Sequence, residues 1–121
     1  MPVLLLTSDP VGVRVARRFV RSLVDGVLTD EQMATAELLT SELVTNAVLH
    51  GRGEPLLAVE VGASCVRIAV HDETPSVPVV RQPDPLAASG RGMQLIESLS
   101  ARWGVDPDAQ GKDVWFELEL S

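Results

Sequence analysis

Leu57, Val59 and Val61 alternate with Ala58, Glu60 and Gly62, and a few residues on Val66, Ile68 and Val70 alternate with Arg67, Ala69 and His71. A period of two marks strands with one apolar and one polar face. Gly62-Ala63-Ser64 between them is short enough for a hairpin turn. Such a hairpin is not stable alone, so its apolar face needs a second layer to cover it.

The rest of the chain supplies that layer. Thr7-Ser8-Asp9-Pro10 ends a short strand, Val3 to Leu6, and offers Ser8 or Asp9 as a helix cap with Pro10 in the first turn. Val13, Ala16, Phe19, Val20, Leu23 and Val24 then recur at helical spacing until Asp25-Gly26. Thr29 or Asp30 caps a longer helix reaching about Leu49, with Met33, Ala36, Leu39 or Thr40, Leu43 and Ala47 as its apolar stripe and Gly51 just past its end. Four prolines between Glu73 and Ser89 rule out regular structure there and suggest a lid. Gly90-Arg91-Gly92 opens a short helix with Met93, Leu95, Ile96 and Leu99 facing inward. Trp103 to Val105 reads as a strand, and Val114, Phe116, Leu118 and Leu120 alternate in the last one. The sum is a two-layer α/β sandwich, with helices on one face of a mainly antiparallel mixed sheet.

The 121 residues make one domain, 1–121, able to bury a core without staples. A net charge of −7 disfavours nucleic acid and anionic membrane surfaces as partners. With Cys65 alone no internal disulfide can form, and the absence of a signal-like start or a spanning apolar run predicts a cytoplasmic protein. Aromatic residues are too few for a base-stacking surface.

Three local features carry possible chemistry. Glu42, Asn46 and His50 share one side of the long helix. An Asn carbonyl can ligate Mg²⁺, and a carboxylate one turn away can accept a hydroxyl proton. A solvated polar face is the ordinary reading of such a stripe. Asp72 falls by parity on the buried face of its strand, where an adenine amino group would satisfy it; a self-capped turn is the ordinary alternative. Gly90-Arg91-Gly92-Met93 precedes helical periodicity and would let backbone N–H groups meet an anion, although glycines before helices are commonplace.

Taken in order, these features resemble the GHKL ATPases, the superfamily of histidine kinases and DNA gyrase B. Glu42-Leu-Val-Thr-Asn46-Ala-Val-Leu-His50, Gly-Arg-Gly-Met and Gly111-Lys-Asp-Val-Trp-Phe-Glu-Leu118 are most similar to its anti-sigma-factor serine/threonine kinase branch. The resemblance implies the Bergerat-type ATP-binding fold, with ATP and Mg²⁺ as ligands. It implies Asn46 on the metal, Glu42 as general base, Asp72 on the adenine amino group, and Gly90, Arg91, Gly92 and Met93 at the phosphates. The implied partners are a sigma factor and an anti-anti-sigma factor. Relatives also dimerise, and the apolar strand Val3 to Leu6, without an obvious sequence neighbour, is the end expected to do so.

The chain departs from the family on the adenine side. Asp72-Glu-Thr-Pro-Ser76 lacks the usual glycines, and Lys112-Asp113 stand where relatives carry threonine. Glu73 and Asp113 would thereby add acids near an anionic ligand. A non-catalytic partner-binding module that has lost nucleotide is therefore the alternative function. A detached histidine-kinase ATPase part fits less well, since no phosphoacceptor helix pair is present.

Overall fold

The computed structural model describes residues 1–74 and 89–120, the latter without the side chains of 89–92. The strands are β1 (Val3–Leu5), β2 (Leu56–Val61), β3 (Cys65–Asp72), β4 (Arg102–Asp108) and β5 (Gly111–Glu119); the helices are α1 (Pro10–Val24), α2 (Asp30–His50) and α3 (Ser89–Leu99). One sheet has the order β1-β2-β3-β5-β4. Every pairing among the described residues is antiparallel, so the expected mixed sheet is not mixed. The reason is topological: β3 and β4 run parallel across the α3 connection, but β5 returns between them.

Local chemistry sets the helix starts. Asp9 Oδ1 accepts from Gly12 N at 3.0 Å, and Pro10 occupies the first turn of α1. Thr29 and Gln32 form a reciprocal capping box on α2. Both helices lie on the sheet face that carries Leu57, Val59, Val66, Ile68, Val70, Val114, Phe116 and Leu118, all buried with Ala16, Val20, Val24, Ala36, Leu39, Leu43, Val44 and Ala47. Thr40, expected at the edge of the α2 stripe, is fully inside.

Three expectations need correction. β1 is not without a neighbour, because it pairs with β2 through Val3↔Ala58 and Leu5↔Leu56. Leu99 does not face inward: it ends α3 and is exposed, because the chain turns there towards β4. Asp113 does not lie on the helix-covered face. It alternates with buried Lys112 and Val114, and its Oδ1 is 2.6 Å from His71 Nδ1 on the opposite face of the sheet. That outer face is polar towards β4, where Arg67 lies 3.9 Å over the Trp115 ring and Arg102 pairs with Glu117. Among the described residues no helix is long and apolar enough to cross a membrane.

Candidate functional site

α2 is the element that assembles the site. Glu42 and Asn46 lie one turn apart and are both half-buried. Neither side chain makes a hydrogen bond or ion pair with another described residue. Burial raises the pKa of the Glu42 carboxyl above its ordinary value. Both side chains are open enough for solvent, or a ligand, to reach their oxygens.

The C-terminal end of α2 reaches Asp72. Gly51 accepts no side chain there: a Cβ on it would stand 3.1 Å from Asp72 Cβ and 2.4 Å from the Ala47 carbonyl oxygen. His50, the third residue of the stripe, is exposed. Asp72 itself is buried, as strand parity requires. Its Oδ1 accepts from Thr74 N at 2.8 Å, so the self-capped turn is present. The same oxygen accepts from Lys112 Nζ at 3.1 Å, and Lys112 also donates to the Thr74 carbonyl at 3.1 Å.

Lys112 and Thr74 are the residues that sequence reasoning passed over. Lys112 stood out only as a departure from family text. Its parity with Val114, Phe116 and Leu118 was the available signal, since it places the lysine on the buried face, and the register sets it directly across from Asp72. Nothing in the sequence singles out Thr74.

α3 completes the arrangement. Leu99, Ser100 and Ala101 line a groove with Glu31, Gln32 and Thr35, so the end of α3 lies beside the start of α2. The first turn of α3 begins at Ser89. Gly90, Arg91 and Gly92 are inside that turn rather than before it. Met93 is a core side chain, almost fully buried, so at this position only the backbone is available to a ligand. Of the lid expected between Glu73 and Ser89, residues 75–88 lie outside the described residues. Glu73 is exposed, its carboxylate 2.9 Å from where a Gly53 Cβ would stand.

A family model described as the histidine kinase-like ATPase domain matches residues 6–118. The chain belongs to this family. The family is one of ATPase domains. The fold is similar to that of the histidine kinase domain of a blue-light-activated histidine kinase from Erythrobacter litoralis EL346, with a TM-score of 0.59 and 21% identity. That match covers 91% of this chain and 60% of the other, so the chain spans about three-fifths of the domain it resembles. No curated protein matches it.

The residues fit the nucleotide that the family binds. Asn46 offers an unpartnered carbonyl oxygen suited to Mg²⁺, which takes few protein donors and keeps phosphate oxygens and water. Among the described residues no cluster of three or more His, Cys, Asp or Glu could hold a metal by itself, so a metal here would rest on Asn46 and the ligand. Asp72 keeps Oδ2 open to a donor, although Oδ1 is taken.

Proposed function

We propose that this chain is a Mg²⁺-ATP-dependent protein serine/threonine kinase of the anti-sigma-factor type. Its substrate would be a hydroxyl of an anti-anti-sigma factor, and its second partner a sigma factor held inactive. The observation that carries the reading is that α2 alone presents Glu42 and Asn46, with side chains unpartnered among the described residues, and ends against Asp72 at Gly51. The wording of the motif Glu42 to His50, nearest to that branch, supports the choice of substrate.

Mg²⁺-ATP supplies the transferable phosphoryl group and its counter-charge. Asn46 would hold the metal through its carbonyl oxygen. Glu42, with a carboxyl pKa raised by burial, takes the proton of the incoming hydroxyl. Asp72 holds the base. Phosphoryl transfer depends chiefly on positioning and charge neutralisation, so few groups suffice.

Calorimetric titration with ATP, with and without Mg²⁺, run beside radiolabel transfer to an anti-anti-sigma protein, tests the proposal. Binding that requires Mg²⁺ together with labelled serine or threonine supports it. Binding without transfer reduces it to an ATPase or a sensor.

One observation favours the second reading, a partner-binding module without nucleotide. Lys112 already occupies an oxygen of Asp72 from within the chain. On that reading ATP fails to bind at millimolar concentration while a sigma or anti-anti-sigma partner still does.

A further inference from the structure

The groove between the start of α2 and the end of α3 lies far from Glu42, Asn46 and Asp72. Glu31 and Glu42 are roughly three turns apart on α2, about 16 Å along its axis. Leu118, at the base of the groove, is near the end of β5, whereas the start of that strand faces Asp72. The groove has a volume of about 310 Å³. Its polar lining is satisfied from within the chain. Gln32 Nε2 donates to the Glu119 carbonyl at 2.6 Å, Thr35 Oγ1 to the Glu31 carbonyl at 3.2 Å, and Ser100 Oγ to the Ile96 carbonyl. What remains open is an apolar floor and a negative rim.

The floor is Leu99, which is 45% exposed, with exposed Ala101 beside it and buried Leu118 below. One exposed leucine is ordinary; the charge around this one is not. The exposed Glu31 carboxylate has no ion pair among the described residues. The Glu119 carboxylate shares Arg102 with Glu117, so two acids stand against one base. α3 ends at the groove with Glu97 and no basic residue in its last turn, which leaves the negative end of its dipole uncompensated. The positive end of α2 does not balance it, because a capping box closes that end and Asp30 and Glu31 already occupy its first turn. An apolar floor under a negative rim complements an aliphatic side chain with a cation beside it. We infer that this groove docks a linear segment of a partner protein in which an aliphatic residue is flanked by lysine or arginine. The aliphatic side chain lies on Leu99, Ala101 and Leu118, and the cation sits between Glu31 and the end of α3. The apolar floor favours such a segment over a simple cation, which gains nothing from apolar burial. The inference does not rest on nucleotide binding and can fail without it.

Amide NMR on the isotope-labelled full chain, titrated with capped pentapeptides, tests it. A glycine-flanked peptide of lysine, leucine and arginine should shift the amides of Gln32, Thr35, Leu99, Ser100 and Ala101 saturably and leave those of Asn46 and Thr74 in place. Serine in place of its leucine should weaken binding about tenfold. Glutamate in place of both bases should abolish it. Leu99→Ser should weaken the first peptide about tenfold, and Glu31→Gln about threefold with a smaller dependence on salt. Both substitutions are on exposed side chains, and the same spectra show that the fold is kept. Equal binding of the three peptides, shifts confined to other parts of the chain, or no shift at about 10 mM peptide overturns the inference. So does a shift of the groove amides on raising protein concentration alone, which would make a second copy of this chain the occupant.

Discussion

Gly111 and Asp72 meet backbone to backbone: a Cβ at Gly111 would stand 2.0 Å from the Asp72 carbonyl oxygen. The contact lets β5 begin directly beneath the end of β3, which brings Lys112 level with the carboxylate it holds. Gly111 also has φ +149°, which side chains rarely adopt.

Gly111→Ala is therefore expected to lose more than about 3 kcal/mol, since backbone strain and a clash with immobile backbone add. Gly26 is the control. It has φ +80°, but a Cβ there would meet nothing within 4 Å. Gly26→Ala should lose only about 1 kcal/mol. Chemical denaturation of the two variants checks the difference, and equal losses would mean that the Gly111 contact relaxes freely.

Glu42 makes stability depend on pH in a particular direction. Burial raises its carboxyl pKa, so the folded chain holds that proton more tightly than the unfolded chain does. Stability from this group is then greatest below the ordinary glutamate pKa of about 4.3 and falls as pH rises through the raised value. Glu42→Gln removes the penalty on the charged form. Its thermal midpoint should exceed that of wild type at pH 7 and converge with it as pH falls towards 4. A variant less stable than wild type at pH 7 would show that the carboxylate has a partner in solution.

Much of the fold was legible because burial here follows strict periods. Val66, Ile68, Val70 and Asp72 share a parity, and each is buried. The caps Asp9 and Thr29 were readable from residue type alone. What failed was long-range. Lys112 and Asp113 together stand where relatives carry threonine, yet neighbours on a strand point to opposite faces, and only Lys112 is on the buried one. The β1 pairing was invisible because its partner β2 lies some fifty residues on, beyond two helices. The Lys112–Asp72 pair needed the register of β3 against β5, which no local pattern encodes.

The edge of the sheet supports a prediction about assembly. β1 is an edge strand, and Val3 and Leu5 on its outer side are 52% and 58% exposed. Edge strands with apolar side chains favour pairing with another chain. The expected homodimer should form through this edge, and Leu5→Lys should weaken it about tenfold or more in analytical ultracentrifugation. A wild type that stays monomeric at high concentration would rule the edge out.

The two polar groups on α2 should dissociate in their effects. Asn46 is proposed to act on the metal in the bound state, so Asn46→Ala removes the organiser of the phosphate counter-charge. Mg²⁺-ATP binding should weaken about tenfold or more, and the dependence on Mg²⁺ should shrink. Glu42 is proposed to act only when a hydroxyl attacks. Glu42→Ala should therefore leave the affinity for Mg²⁺-ATP within about twofold and reduce transfer to a protein hydroxyl about a hundredfold. The α-helical backbone tolerates alanine at both positions, so loss of structure does not obscure the comparison. Calorimetry reads the first effect and single-turnover radiolabel transfer the second. Small, equal effects of both variants on both measurements would return Glu42 and Asn46 to an ordinary solvated helix face, and the kinase proposal would fall with them.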